Sequence, residues 1–300
     1  MKVHNVIGGA GLRLHVREWG KGAGPSILFI HGWSQCHLCW RGQYESPLAN
    51  DFRLVAVDLR GHGMSDAPLE PEHYDDAQLW ADDIAAVIDQ LELSRPVLVG
   101  WSYGGFVICD YLRVYGATRI AGIDFVGAAV TLNTSAYGTL IGPGFLDNIV
   151  GATSDDLPTN IESIRKFVRA CTFSQLSDDM FETAICWNMA VPAKIRAALV
   201  AREINSDDVL AALAIPVLMS HGREDRVILP AMGEQILSTY PTAMSSWYRD
   251  IGHALFLEDS ARFNKELSQF AHQAQARPAV PTDEDRTDRR GDQLQASDTI

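Results

Sequence analysis

Val-Leu-Val-Gly-Trp-Ser-Tyr-Gly-Gly at residues 97–105 is the most informative stretch of this 300-residue sequence. An apolar run of strand type leads into Gly-x-Ser-x-Gly, and residues 106–109 begin a helical pattern. A serine in so sharp a turn adopts a strained backbone, which leaves no room for a Cβ two residues before or after it. The pattern is typical of a nucleophile elbow and predicts that the Ser102 hydroxyl lies above a sheet.

Short apolar runs and helical patterns alternate on both sides of this stretch. The residues between 12 and 19 alternate between apolar and polar and predict an early antiparallel strand, whereas the later runs are apolar throughout, as strands buried on both faces require. The alternation predicts a mainly parallel sheet covered by helices. Further strands are predicted at 26–30, 53–57, 97–101, 120–126, 215–220 and 245–248, and helices at 38–48, 78–91, 104–115, 232–240 and 260–273.

The alternation stops between about residues 130 and 205, where no buried strand is predicted. Residues 138–144 look like a loop, and three helical patches follow at 161–170, 178–189 and 193–203. An insertion at this place is expected to fold over the strand ends as a cap. The predicted organisation is a core of residues 1–129 and 206–276, a helical cap of residues 130–205, and a polar, disordered tail of residues 277–300.

Composition narrows the possible partners and the compartment. The net charge of −13 and the absence of a basic run argue against nucleic acid and anionic membranes. No apolar run has the length of a bilayer span or of a signal peptide, so a soluble, cytoplasmic protein is expected. The five cysteines have no framework spacing, which indicates reduced thiols. The Cys-x-x-Cys pair at 36 and 39 lacks a second ligand pair, so no metal is expected.

A serine nucleophile needs a base, and the base needs an orienting carboxylate. Both are expected in loops that follow parallel strands. Asp225, in the loop of residues 220–227, is preferred as the acid over its neighbour Glu224. Asp124, inside an apolar strand, is the rival acid or else a hydrogen-bonded structural carboxyl. His253 follows the last predicted strand and is the preferred base.

The remaining polar groups near strand ends receive other roles. His31 and His221, at strand ends, and His62, in a turn, are interpreted as packing or turn-bracing residues. A developing oxyanion needs two preorganised donors. We expect them to be the backbone N–H groups of Tyr103, which follows the nucleophile, and of Trp33, in the loop after the strand at 26–30.

Five motifs together resemble the α/β-hydrolase superfamily over roughly residues 10–275. They are His-Gly-Trp-Ser at 31–34, Asp-Leu-Arg-Gly-His-Gly-Met-Ser at 58–65, Gly-Trp-Ser-Tyr-Gly-Gly at 100–105, His-Gly-Arg-Glu-Asp at 221–225 and Gly-His-Ala at 252–254. Residues 81–91, running into the elbow, are similar to the cofactor-free haloperoxidase/perhydrolase and arylesterase group.

This resemblance implies the α/β-hydrolase fold, a mostly parallel eight-stranded sheet flanked by helices, with a helical cap inserted after strand 6. It also implies a Ser102–Asp225–His253 triad and no cofactor. The expected substrate is a small carboxylic ester with an aryl or short acyl group, hydrolysed through an acyl-enzyme, with perhydrolysis as a side activity.

Other reactions on the same fold stay open from the sequence: cleavage of lactones or carbon–carbon bonds, cofactor-free oxygenation, and binding without turnover by a small-molecule receptor. The walls of the substrate pocket are expected to include Trp33, Trp101, Phe181 and Trp187.

Overall fold

The structure is a computed structural model that describes residues 1–278. It contains ten strands, two of which are only two residues long. They are β1 (Lys2–Ile7), β2 (Arg13–Gly20), β3 (Ser26–Ile30), β4 (Arg53–Val57), β5 (Val97–Trp101), β6 (Gly122–Val126), β7 (Thr131–Leu132), β8 (Ile204–Asn205), β9 (Val217–Gly222) and β10 (Met244–Tyr248).

Twelve α-helices accompany these strands in the described part of the chain. They are α1 (Arg41–Tyr44), α2 (Leu48–Asp51), α3 (Ala77–Gln90), α4 (Gly104–Tyr115), α5 (Pro143–Ala152), α6 (Leu157–Ala170), α7 (Asp178–Met189), α8 (Ala193–Val200), α9 (Asp207–Ala211), α10 (Pro230–Thr239), α11 (Leu255–Glu258) and α12 (Ser260–Ala276).

Eight strands form one sheet in the order β1-β2-β4-β3-β5-β6-β9-β10. Strand β2 is antiparallel to both β1 and β4, and the remaining neighbours are parallel. Every residue of β3, β5 and β6 is buried, which explains their largely apolar character, with Asp124 in β6 as the charged-type exception. The predicted fold is confirmed. Strand β1 was not predicted, because it lies at the sheet edge and buries only Val6.

The crossover connections place the ends of β3, β5, β9 and β10 along one edge of the sheet. Ser102 follows β5 directly, and the loop of residues 31–35 follows β3. Asp225 and His253 follow β9 and β10. Loops after parallel strands converge at such an edge, so the topology assembles the predicted reactive groups.

The helix predicted at 38–48 is broken. A 3-10 turn (His37–Trp40) and α1 occupy its first part, and α2 starts only at Leu48. The Ser46 hydroxyl donates to the Gln43 carbonyl (2.6 Å) at the end of α1. Pro47 cannot donate a backbone hydrogen bond, so it begins a new helix rather than continuing the old one.

Residues 130–205, called the insertion below, contain α5 to α8. Helix α5 replaces part of the loop expected at 138–144, because Pro143 occupies the first helical turn, where a missing N–H costs nothing. The ends of the insertion pair antiparallel through β7 and β8, a short ladder that the sequence pattern did not reveal. The boundaries of the predicted domains stay a prediction.

None of the described helices combines the length and apolar character that crossing a bilayer requires. Helix α12 ends at Ala276. The predicted disordered tail lies outside the described residues from position 279 onward.

An ion pair sealed inside the core connects the chain after β4 to α3. Arg60 donates to Asp83 through Nε (2.7 Å) and Nη2 (2.8 Å), and both side chains are completely buried. Burial raises the pKa of Asp83, although the guanidinium opposes the shift. Helix α3 also carries Asp89, whose carboxylate pairs with Arg119 at the surface.

We expect Asp83→Ala to lower the free energy of unfolding by about 3–5 kcal/mol, because Arg60 is left as an uncompensated buried charge. The matched change Asp89→Ala removes an exposed pair from the same helix and should cost less than about 1 kcal/mol. Urea unfolding at pH 7 measures both. Equal losses in the two variants would contradict the assignment of the buried pair as a core element.

Candidate active site

Ser102 lies in a left-handed turn between β5 and α4, with φ of +54°. A Cβ on Gly100 would lie 2.5 Å from Ile108 Cδ1, and one on Gly104 would lie 2.4 Å from the Ile30 carbonyl oxygen. Neither position therefore accepts a side chain. The serine is nearly buried, and its backbone is anchored by the Ser102 N–H bond to the Val126 carbonyl (3.1 Å).

Asp225 and His253 form a buried pair next to this turn. Nδ1 of His253 lies 2.8 Å from Asp225 Oδ2, while Asp225 Oδ1 accepts the N–H groups of Val227 (2.8 Å) and Ile228 (2.9 Å). Burial alone would raise the pKa of Asp225, but the charge of His253 and hydrogen bonds from His221 and His253 outweigh it and hold this pKa at about 2. The carboxylate is therefore ionised and orients the His253 ring.

His221 was predicted to be a packing residue, and the structure adds a contact with the acid. Its Nε2 donates to the Ile228 carbonyl (3.0 Å) and lies 3.3 Å from Asp225 Oδ2. The Ile228 N–H in turn donates to Asp225. His221 thus braces both the carboxylate and the loop that carries it. The His-Gly motif marks the position, but it does not show that the ring reaches Asp225.

The His253 ring packs 5.3 Å from the Trp101 ring, and the Trp101 indole N–H donates to the His253 carbonyl (3.1 Å). Gly127, with φ of +47°, lets the backbone pass close to the His253–Asp225 pair. A Cβ at this position would lie 3.2 Å from His253 Nδ1 and 3.4 Å from Asp225 Oδ2. His253 Nε2 is buried and has no hydrogen-bond partner among the described residues. The structure thus joins the predicted acid to the predicted base, and it forms no hydrogen bond from Ser102 to that base.

Trp33 and Tyr103, which carry the two predicted oxyanion donors, line one cavity together with Ser102. In the described chain, neither the Trp33 N–H nor the Tyr103 N–H is used in a protein hydrogen bond, so both are available to a ligand. His31 and His62 brace the loop as expected: His31 Nε2 accepts from Leu59 N–H (3.0 Å), and His62 Nε2 accepts from Ser34 N–H (3.2 Å). Burial lowers the pKa of His31 to about 4 and that of His62 to about 3, so both rings are neutral at pH 7.

The cavity beside Ser102 has room for water-sized molecules over a volume of about 30 Å³. It lies between the elbow, the acid loop and the insertion, and none of the described residues that line it carries a charged side chain. The aromatic rings of Phe145 and Phe167 meet Trp33 edge-on at 5.4 and 5.2 Å between centroids. The other lining residues are Tyr103, Phe106, Ala129, Leu132, Ile141, Val200, Val227 and Ile228.

Only Trp33 of the four predicted pocket residues lines this cavity, and the other three need correction. The Trp101 ring packs against Phe256 at 4.9 Å and lines a separate, smaller cavity with Trp187. The Trp187 indole N–H donates to Gln35 Oε1 (2.6 Å). The Phe181 ring is half-buried, and the guanidinium carbon of Arg169 lies 4.7 Å from the centroid of this ring.

The residues missed from the sequence are mainly Phe145 and Phe167, which supply the aromatic wall from α5 and α6. Phe167 belongs to the apolar face of a strongly amphipathic helix, so the helical pattern could have nominated it. Phe145 carried no such signal, because the segment before it was interpreted as a loop.

Asp124 is a structural carboxyl rather than the partner of His253. It is completely buried in β6 and accepts the Ser220 hydroxyl through Oδ1 (2.9 Å), while Oδ2 has no partner among the described residues. Burial raises its pKa to about 8, with a smaller contribution from the charge of Glu266, against the Ser220 hydrogen bond. The carboxyl is therefore mainly neutral at pH 7.

Among the described residues, His15, His37 and Asp58 bring three ligand-type atoms within 4.8 Å of one another. These atoms already have partners. Asp58 Oδ1 accepts the His37 N–H (2.7 Å) and lies 2.8 Å from His37 Nδ1, and Asp58 Oδ2 accepts the Met64 N–H (3.0 Å). The His15 Nε2 atom accepts from Arg17 Nε (3.0 Å). The cluster is satisfied as a brace for the turn after β4 and does not fit a metal site.

Comparison with known proteins identifies the family of this chain. The sequence model described as "Alpha/beta hydrolase family" matches residues 27–266. The chain belongs to the alpha/beta hydrolase family. The range of this hydrolase that matches begins in β3 and ends within α12, so it includes every strand of the main sheet except β1 and β2.

Two solved structures and one curated relative are similar to this hydrolase over nearly their full length. The esterase RhEst1 from Rhodococcus sp. ECU1013 is 35% identical, with a TM-score of 0.86 over 91% of this chain and 99% of that chain. A protein from Burkholderia cenocepacia, provisionally assigned as an aryl esterase, is 33% identical, with a TM-score of 0.87 over 92% and 100%. The bifunctional esterase/perhydrolase DCH of Acinetobacter calcoaceticus is 26% identical over 274 residues, 87% of this chain and 96% of the relative. The predicted resemblance to the haloperoxidase/perhydrolase and arylesterase group is confirmed.

The raised pKa of Asp124 predicts a distinctive pH dependence of stability. Burial in the folded state raises the pKa of this carboxyl from its ordinary value of 3.8 to about 8, so the folded state binds the proton more tightly than the unfolded state does. The stabilisation that results from this protonation is complete below pH 4 and is lost as the pH rises toward 8. Over this window wild type should lose up to about 1.4 kcal/mol per pH unit relative to Asp124→Asn, which cannot ionise. Urea unfolding at pH 5, 6, 7 and 8 measures the difference.

The exposed carboxyl of Asp51 supplies the control, since Asp51→Asn should follow the wild-type curve. Parallel curves for wild type and Asp124→Asn would show that Asp124 does not ionise in this pH range.

Proposed function

We propose that this hydrolase cleaves small, uncharged carboxylic esters through an acyl-enzyme at Ser102. The observation that carries the proposal is the apolar cavity in which Ser102 meets two unused backbone donors, beside the buried Asp225–His253 pair. Nucleophile, base, acid and oxyanion donors are the parts that acyl transfer requires.

The tautomer of His253 follows from its partner. An ionised carboxylate can only accept, so Nδ1 carries the proton and Nε2 is the basic nitrogen. Nε2 takes the Ser102 proton as Oγ bonds to the ester carbonyl carbon, and the carbonyl electron pair moves onto oxygen. The N–H groups of Trp33 and Tyr103 stabilise that oxyanion.

The intermediate then collapses. The carbonyl re-forms, the bond to the alcohol oxygen breaks, and the alcohol leaves with the proton from His253 Nε2. Water next attacks the acyl-enzyme, giving its proton to His253, and the second collapse returns that proton to Ser102 as the acid departs. Hydrogen peroxide in place of water would yield a peracid by the same steps. The name of the Acinetobacter relative supports this side activity.

The cavity wall supports the choice of substrate. Its lining residues are apolar apart from the Ser102 hydroxyl and the Tyr103 phenol, so a charged acyl group would lose its hydration without gaining a partner. The Trp33, Phe145 and Phe167 rings favour flat or short groups over long chains. The provisional assignment of the Burkholderia relative as an aryl esterase supports aryl esters in particular.

Removal of the nucleophile tests the mechanism. Ser102→Ala should lower kcat for p-nitrophenyl acetate and p-nitrophenyl butyrate by about 10⁴-fold or more and abolish labelling by an organophosphonate. The exposed serine in β10 provides the matched control, since Ser245→Ala should retain both properties. Ester turnover retained by Ser102→Ala would contradict the mechanism. A lactone hydrolysed orders of magnitude faster than any aryl ester would change the substrate class.

Paired substitutions in the insertion test the cavity wall. Phe167→Ala enlarges the space beside Ser102 and should shift the ratio of kcat/KM for butyrate over acetate esters by about tenfold. Phe181→Ala removes the same kind of side chain from a half-buried position outside this cavity and should leave the ratio unchanged. Steady-state kinetics on an acyl-chain series measures both. A larger change from Phe181→Ala would show that substrate binds elsewhere.

A further inference from the structure

Three consecutive side chains after β3 are hydrogen-bonded to the insertion. The Trp33 indole N–H donates to the Arg196 carbonyl (3.2 Å), the Ser34 hydroxyl donates to the Asn188 carbonyl (3.1 Å), and the Gln35 amide donates to Asn188 Oδ1 (3.3 Å). The Trp187 indole completes the set by donating to Gln35 Oε1 at 2.6 Å.

The loop needs such support because its backbone is strained. Ser34 has φ of +60°, a conformation that residues with a Cβ rarely adopt and that costs on the order of 1–3 kcal/mol. From the core side, the backbone is held by Ser34 N–H on His62 and by Gln35 N–H on the Gly32 carbonyl (3.3 Å). Among the described residues, every side-chain hydrogen bond of Trp33, Ser34 and Gln35 is made with the insertion.

Burial makes these bonds costly to break. Gln35, Asn188 and Trp187 are 4, 0 and 7% exposed, and Ser34 is fully buried. Asn188 Nδ2 is also occupied, donating to the Ala184 carbonyl (2.8 Å), so the side chain is locked in orientation. A buried donor or acceptor that loses its partner retains the unfavourable free energy of its desolvation with no hydrogen bond to offset it. The loop and the insertion therefore hold each other in one arrangement.

We propose that Asn188 and Trp187 are positioning residues for the oxyanion hole. Through Ser34 and Gln35 they hold the loop so that the Trp33 N–H faces the oxygen on which charge develops. The inference rests on the proposed function, and it gives the insertion a part in the chemical step in addition to covering the cavity.

The kinetic signature of this role differs from that of a binding pocket. Asn188 and Trp187 do not line the cavity that contains Ser102. Their loss should therefore leave substrate binding nearly unchanged and weaken only the interaction that forms in the transition state. Removal of an entire oxyanion donor costs about 10²–10³-fold in kcat, and displacement of a donor costs up to that amount.

Two variants of graded severity test the proposal. Trp187→Phe keeps an aromatic ring but removes the N–H that reaches Gln35 together with part of the indole, and it should lower kcat for p-nitrophenyl acetate about tenfold. Asn188→Leu removes the side-chain contact to Gln35 and should lower kcat about 100-fold. KM should stay within about threefold in both. Val150→Ala, at an exposed position in α5, is the control in the same insertion.

The inhibition constant of a transition-state analogue distinguishes a positioning role in the oxyanion hole from a merely structural role. The Ki of an aryl trifluoromethyl ketone, whose adduct with Ser102 carries an oxyanion, should rise in each variant by the factor by which kcat/KM falls. Thermal unfolding verifies that each variant is folded. If Asn188→Leu does not fold, Trp187→Phe decides the question alone.

The outcomes are separable. Wild-type kcat in folded Trp187→Phe, or a raised KM at constant kcat, overturns the positioning role and leaves the proposed ester hydrolysis intact. Absence of ester turnover and of phosphonate labelling in wild type overturns the proposed function, and this inference with it. Matched changes in kcat and Ki at constant KM support the proposal.

Discussion

The left-handed backbone of Ser102 is the constraint on which the arrangement of this molecule depends. It forces β5 to turn directly into α4, and the turn leaves no space for side chains at Gly100 and Gly104. The Ile30 carbonyl occupies the space that a side chain on Gly104 would need, so the end of β3 must lie against the elbow. Strain at one residue persists because the fully buried strand β5 holds one side of the turn and the buried first turns of α4 hold the other.

The sheet and the predicted reactive groups could be read from the sequence because their signals are local. A strand buried on both faces is apolar at nearly every position, and a polar residue just after such a strand lies at the sheet edge. These two rules suffice to bring Asp225 and His253 to the same place. The choice between Asp225 and Asp124 needed one additional fact: a carboxyl within a strand faces the core rather than the edge.

The cavity wall could not be read in the same way. Phe167 and Phe181 both belong to helices with apolar residues at helical spacing, and the sequence pattern treats them alike. Which face meets the core depends on how the helices of the insertion pack, and this packing buries Phe167 and leaves Phe181 under arginine side chains. Contacts between distant segments, such as His221 on Asp225 or Trp187 on Gln35, have no periodic signal either.

The two-residue ladder of β7 and β8 joins the chain where it leaves the core to the chain where it returns, pairing Leu132 with Ile204. Because this ladder joins the two ends of the insertion, the length of the segment between them can vary without changing the register of the main sheet. The entropic cost of closing that segment grows only slowly with its length. The backbone arrangement therefore allows the segment between β7 and β8 to be replaced by another one. The side chains restrict that exchange, because any graft between these positions must also present hydrogen-bond partners to residues 33–35.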